Sequence, residues 1–558
     1  MAIDADILIS NAKVLTMDPR NPRAEAVAIS EGRIFAVGSN KDLAHFNGRR
    51  TVEVDARGRT VLPGFVESHM HIFGGSVSLA ALHLGGVKGA AKLKERVDAY
   101  SEAKPKLPLI WGIGAGYDVL HKGHFPTRHD LDQICPDRPV GFVIFDGHTA
   151  FANTKALELA GLMRGKTLPP GNEIVLDANG NATGELRDYA AYAGLLALNP
   201  TAGREKLGLS TGLSPAKTLT ETERATDISA LKHGLAYCAR HGITSLHNMD
   251  GNIYQFELMS EIERDGALAC RIKIPFHFKN TMSLDMLDMA DDMRRRWHSD
   301  TITGGFVKVF MDGVIESGTA LMLSEYANEP GRLGDPLFSA EQFRDLAIAA
   351  DKRGLQVAVH AIGDGAVRRT LDGYEAAQKA NGRRDSRHRV EHIEAIDPAD
   401  IPRFHQLGVL ASVQPVVAIG TLENPEQPVR ARLGENRLAT AYAWQTLRDA
   451  GAPISFSSDW PVSPLDPLLG ITAAMTHKPL RLDLPRQAQS LMDCLHAFTL
   501  GGAYAEHQEQ QKGMLKEGYF GDLVVLGGDI EAAAPEEIAD LQPVLTICGG
   551  RVTYEGAV

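Results

Sequence analysis

Cysteine is scarce in this chain. There are five in 558 residues (Cys135, Cys238, Cys270, Cys494 and Cys548), an odd and scattered set with no Cys-x-x-Cys pair. That excludes a sulfur-based zinc site and fits a reducing compartment, so a cytoplasmic protein is expected. No run of about 18 apolar residues occurs, so neither a membrane span nor a membrane partner is expected. The opening Met1-Ala2-Ile3-Asp4-Ala5-Asp6 carries acids where a signal peptide needs a basic flank and an apolar stretch, and secretion is not expected. Basic charge is in deficit, with 58 Lys and Arg against 70 Asp and Glu for a net charge of −12. That balance argues against nucleic acid as the partner. Tandem repeats and low-complexity tracts are also missing. What remains has 44% hydrophobic and 23% charged residues, a soluble globular composition on a chain long enough for roughly two to four folding units.

Both ends of the chain alternate like β-structure. Ile7-Leu8-Ile9, Val14-Leu15-Thr16, Ala26 to Ile29 and Arg33 to Val37 lie at one end, Asp522 to Leu526, Val544 to Ile547 and Arg551 to Tyr554 at the other. Neither set alone could bury a core, so residues 1–60 and 506–558 are expected to form one small composite β-sandwich domain. Between them, apolar strand-like runs alternate with helix-like stretches, the pattern of a parallel α/β fold. The runs are Val61 to Val66, Ile243 to His247, Ile272 to His277, Phe306 to Phe310, Gln356 to His360, Arg389 to His392, Val409 to Val413 and Ile454 to Ser458. Eight is the number a (β/α)₈ barrel needs, and a TIM-like barrel over 61–505 is expected. Residues from about 75 to 230 exceed any normal connection between the first two strands. They read as an inserted subdomain over the barrel mouth, a decorative or dimerising insertion being the alternative.

Chemistry gathers at the strand ends. His69 and His71 stand two apart at the end of the first run, and strand side chains at i and i+2 leave on one face. Such a pair alone is a weak signal. It gains weight because Lys308, His360, His392 and Asp459 also lie in or just beyond candidate strands. Imidazoles and a carboxylate suit zinc and other divalent first-row metals. Lys308 is useful there only if its amine takes up CO₂ to become a carbamate, and its apolar neighbours destabilise the charged form. The alternative is a structural ion pair with Asp312. His247 and His277, ending the second and third runs, are candidates to face the pocket or to be satisfied core histidines. His148 in the insertion, Tyr326, and Gln414 beyond the seventh run are further candidates for substrate contact.

These motifs together resemble the amidohydrolase superfamily, in its amidohydrolase-3 (YtcJ-like) branch that includes N-substituted formamide deformylases. The resemblance rests on Leu62-Pro63-Gly64-Phe65-Val66-Glu67-Ser68-His69-Met70-His71, Val307-Lys308-Val309-Phe310-Met311-Asp312-Gly313 and Val359-His360-Ala361-Ile362-Gly363-Asp364. Val390-Glu391-His392, Ser457-Ser458-Asp459-Trp460-Pro461 and the terminal Gly518 to Leu526 complete it, in family order. It implies that His69, His71 and Asp459 bind the more buried metal, and that carboxylated Lys308 bridges to a second held by His360 and His392. One or two ions, with zinc expected, are left open. Two departures stand out: Glu67 where the branch has aspartate, and Gly318 where it has arginine.

The resemblance and the ligand set together imply a hydrolase of a linear non-peptide C–N bond, such as an N-substituted formamide. A divalent ion lowers the pKa of bound water from about 15.7 to roughly 7, and Asp459 would act as general base and then acid. A deaminase or cyclic-amide hydrolase on the same site is the alternative, a metal-free scaffold the distant one. The expected partner is a small molecule, and a homodimer is expected from size and family.

Overall fold

Short runs rich in Val, Ile and Phe become parallel strands because each is followed by a helix that covers one side of it. The computed structural model describes residues 4–121, 125–144, 147, 149–168, 172–419, 421 and 429–556. The barrel strands are β1 (Phe65–Met70), β2 (Ile243–Asn248), β3 (Arg271–Lys273, resumed at Phe276–His277), β4 (Phe306–Phe310), β5 (Gln356–Ala361), β6 (Arg389–His392), β7 (Leu410–Val413) and β8 (Ile454–Phe456). Neighbours pair in parallel, which sets His277 beside Lys308, Phe310 beside His360 and Ala361 beside His392. The ladders form two arcs, β1 to the first half of β3 and its second half to β8. The third run was expected as one strand; Pro275, which has no N–H to give a ladder, stands between its halves. The first, Val61 to Val66, was also expected as one barrel strand; instead Thr60–Pro63 pairs with Leu523–Leu526 outside the barrel, and the barrel strand starts beyond Gly64 at Phe65. At the seam between β8 and β1, Met70 bridges Trp460, while the Asp459 amide donates to the His69 carbonyl and the His71 amide to that of Trp460. The fold is an α/β barrel of the (β/α)₈ kind.

The chain divides into two compact units, Met1–Ile72, Gly208–Ser214 and Leu235–Val558 in one, Phe73–Leu207 and Pro215–Gly234 in the other. In the first, the termini build two sheets. One is four-stranded, in the order Arg33–Gly38, Ala26–Ser30, Ile7–Ser10, Val52–Asp55. The other is six-stranded and mixes both ends of the chain, with Thr60–Pro63 lying against Leu523–Leu526. Ile9, Val14, Val27, Val61, Leu523 and Ile547 share one buried core between them, so each terminus completes what the other cannot bury. The second unit has its own six-stranded sheet, including Ile110–Ala115 and Val140–Ile144, with buried clusters around Phe142 and Leu157. No helix among the described residues is long and apolar enough to cross a membrane. All five cysteines are buried and free.

One ion pair clamps the terminal sheet to the barrel. Arg271, the first residue of β3, donates to both Asp522 oxygens at 2.8 and 3.1 Å, and the Gly549 amide gives a third bond at 2.6 Å. The guanidinium also lies over the Phe520 ring, 3.7 Å from its centroid. Both partners are buried, and removing one partner of such a pair leaves a charge in a poor dielectric. Asp522→Asn is therefore expected to cost about 3–5 kcal/mol, read as a lower urea midpoint for the unit that contains the barrel.

Candidate metal centre

Strand alternation sends Glu67, His69 and His71 to one face of β1, and that face is the barrel interior. His69 is sealed, at 1% exposed, and Asp459 nearly so. Asp459 follows β8 with a left-handed φ of 58°, which an aspartate tolerates better than most residues. The turn brings its Oδ1 to 3.4 Å from His69 Nε2 and 3.3 Å from His71 Nε2. One ligand atom from each of these three residues fits within 4.8 Å of the others. Glu67, the longer acid at the aspartate position, accepts the Ser458 amide at 2.8 Å and so holds the turn that carries Asp459.

The second set adjoins the first. His392 closes β6, and alternation alone would send it outward with Val390. Its φ of 76°, followed by 54° at Ile393, turns the ring inward, 4.8 Å from His69 and 4.5 Å from His360 between centroids. Lys308 is fully buried and its Nζ has no hydrogen-bond partner. Burial lowers its pKa to about 8. Asp312, the alternative ion-pair partner, instead accepts the amides of Leu321, Ile362 and Gly363.

Each of the four imidazoles has one nitrogen held by an acceptor. His69 Nδ1 lies 2.7 Å from Glu391 and His71 Nδ1 3.2 Å from Asp250. His392 Nδ1 lies 2.8 Å from Gln414 Oε1, and His360 Nε2 3.1 Å from the Gly313 carbonyl. An imidazole that donates from one nitrogen offers a lone pair at the other. Burial, then the Lys308 charge, keeps His69 neutral well below the ordinary histidine range, and His360 behaves alike, pushed down to about 3. At His71 burial acts in the same direction, but bonds to Asp250 and Asp459 overcome it and raise the pKa to about 9. A proton on His71 therefore occupies the place where a cation would sit.

The expected substrate contacts fare differently. His148 lies outside the described residues. His247 is fully buried in the barrel, Nδ1 2.9 Å from Arg389 and Nε2 3.0 Å from Glu506, so neither nitrogen is left for a substrate. The Tyr326 hydroxyl donates to the Ala320 carbonyl in its own loop. Gln414 spends both ends of its amide within the site's frame, Oε1 on His392 and Nε2 on Ser457. His277 does adjoin the cluster: its ring stacks on Phe310, which stacks on His360, and its buried Nδ1 has no partner. Gly318, at φ 70°, has the guanidinium groups of Arg332 and Arg432 where a side chain would stand. Sequence reasoning passed over Asp250, Arg389 and Glu391. The i, i+2 spacing of Arg389 and Glu391 was a usable sign, since it puts two opposite charges on one strand face.

Because the Ser458 amide has no acceptor besides Glu67 within that turn, Glu67→Ala is expected to cost about 1–3 kcal/mol. Thermal unfolding measures this, and an unchanged midpoint would show that the turn stands without Glu67.

The family model Amidohydro_3, the amidohydrolase family, matches residues 52–554. Protein LONG AFTER FAR-RED 3 of Arabidopsis thaliana is 31% identical over 569 residues, covering 99% of this chain and 92% of its own. The N-substituted formamide deformylase of Arthrobacter pascens is 27% identical, with 99% and 98% covered. A solved structure described as an uncharacterized metal-dependent hydrolase from Pyrococcus horikoshii OT3 matches with a TM-score of 0.71 at 25% identity, over 95% of this chain and 98% of that one.

Proposed function

The chain belongs to the amidohydrolase family, and from that premise we propose that it is a metal-dependent hydrolase of a linear, non-peptide carbon–nitrogen bond of the N-substituted formamide type. The observation that carries the reading is the donor set. The Nε2 atoms of His69 and His71 lie 3.4 and 3.3 Å from the Oδ1 of Asp459. Three such lone pairs repel unless a proton or a cation lies between them. Imidazole and carboxylate donors suit zinc, and His69, His71 and Asp459 would hold the first ion. His360 and His392, with Lys308 as its carbamate, would hold a second. Carbamate formation joins the neutral Lys308 amine to CO₂ and releases one proton, and burial favours the neutral amine. The formamide class is supported by the deformylase relative, similar through nearly the whole of both chains.

Bound there, a divalent ion supplies a nucleophilic oxygen at neutral pH and polarises the scissile carbonyl. Asp459 takes the proton released in the attack and hands it to the leaving nitrogen, so one carboxylate serves as base and then acid. Glu67 keeps that carboxylate in place through the Ser458 amide. The unpartnered Nδ1 of His277 is available to a polar group of the substrate.

Two measurements test the reading together: elemental analysis of protein purified in bicarbonate without chelator, and formate release from a panel of N-substituted formamides. About two ions per chain with formate release supports the whole scheme, including the Lys308 carbamate. About one ion with formate release keeps the first site and removes the bridge. No ion after reconstitution, or ammonia released with no formate from any substrate, overturns the proposal. Asp459→Asn is expected to lower kcat by about 10²- to 10⁴-fold, with the chain still folded by circular dichroism.

A further inference from the structure

Arg389 is a fully buried guanidinium at the base of the site. Its Nε donates to Glu391 Oε1 at 2.8 Å and its Nη2 to Glu391 Oε2 at 3.1 Å. Nη2 also reaches the Ser68 carbonyl at 2.7 Å and Ser412 Oγ at 3.1 Å, and Nη1 meets His247 Nδ1 at 2.9 Å. One side chain thus ties β6 to β1, β7 and β2.

An arginine can only donate. His247 Nδ1 must therefore be an acceptor, which puts the His247 proton on Nε2, toward Glu506 at 3.0 Å. Glu391 has both oxygens covered by Arg389, so it faces His69 as an acceptor, and His69 must carry its proton on Nδ1. The same guanidinium sets two histidines in opposite senses. A neutral glutamic acid at 391 could donate to His69 Nδ1 instead, which would place the imidazole proton on Nε2, between it and Asp459.

We propose that Arg389 and Glu391 are positioning residues that hold His69 in the Nδ1–H form, so that the Nε2 lone pair faces Asp459. This rests on the reading that His69 Nε2 meets a metal ion, but the tautomer itself does not require the ion. Asp250 holds His71 with no such arginine, and its bond is longer at 3.2 Å.

Solid-state NMR of metal-free protein labelled with ¹³C,¹⁵N-histidine reads the tautomer, with His69→Gln as the difference spectrum that assigns it. The expected result is Nδ1–H at His69 in the native chain and loss of that single form in Glu391→Gln. In zinc competition against a chelator, Glu391→Gln is expected to bind about 10- to 100-fold more weakly, and zinc to raise its melting temperature less. Arg389→Lys, which keeps the charge and loses the fork, should fall between the two, and it carries the test should Glu391→Gln not fold. Nε2–H at His69 in the native protein overturns the proposal, as does a Glu391→Gln chain with native tautomer and native zinc affinity. A native chain that shows Nδ1–H yet takes up no zinc supports this assignment and refutes the metal reading alone.

Discussion

A charge sealed in a protein interior must be answered by another group within hydrogen-bond reach, or it costs more than the fold can spare. The first unit follows that rule at Arg271 with Asp522, at Arg389 with Glu391, and at Asp312 with three backbone amides. At the C-terminal ends of the barrel strands, Lys308 departs from it: its Nζ is buried without a hydrogen-bond partner, as is Nδ1 of the neighbouring His277. They belong to residues at one mouth of the barrel, the face on which such folds do their chemistry. Buried atoms without a hydrogen-bond partner also occur away from the mouth, at Gln356 and His477 among others, so it is the company of Lys308 and His277 with the His69, His71 and Asp459 donors that marks this group as a site.

The backbone contributes as much as the side chains. Regular alternation delivers only every second residue of a strand to the interior. That suffices for His69, and for Lys308 and Phe310 on β4, but it would turn His392 away. The left-handed turn at His392 brings in a side chain that alternation would misdirect, and the one at Asp459 seats a carboxylate that lies beyond the end of β8. Such conformations cost energy for residues other than glycine, and here the surroundings hold them: the Asp459 amide donates to the His69 carbonyl, and Gln414 holds the His392 ring.

Much of this was legible in the sequence. Apolar runs with strand length gave the eight barrel strands, and histidines two apart on β1 gave a shared face, because both rest on local periodicity. The boundaries failed where a local breaker intervened: at Pro275 in the third run, and at Gly64 in the first, where Thr60–Pro63 joins the terminal sheet and Phe65–Met70 the barrel. Groups whose role depends on a partner far along the chain were misjudged. Nothing local to His247 reveals Arg389, 142 residues away, and nothing local to Gln414 says that its amide would be spent on His392. Arg389 and Glu391 were passed over for a related reason. Two opposite charges in a strand usually read as a solvated edge, and only closure of the barrel shows that their face is dry.

The partners of the four imidazoles lie on or just beyond a strand other than the ring's own. His69 on β1 is held from β6, His71 after β1 from the loop after β2, His360 on β5 from the loop after β4, and His392 on β6 from the loop after β7. The site is thus cross-braced around the ring, and no single strand carries a complete piece of it. Shifting any strand that carries a brace by one residue would break it and reverse which side chains face inward. The geometry of the donors is therefore a property of the assembled strands together and of no one of them. The Arg271–Asp522 clamp acts at the same level, since it fixes β3 to a sheet built from both ends of the chain.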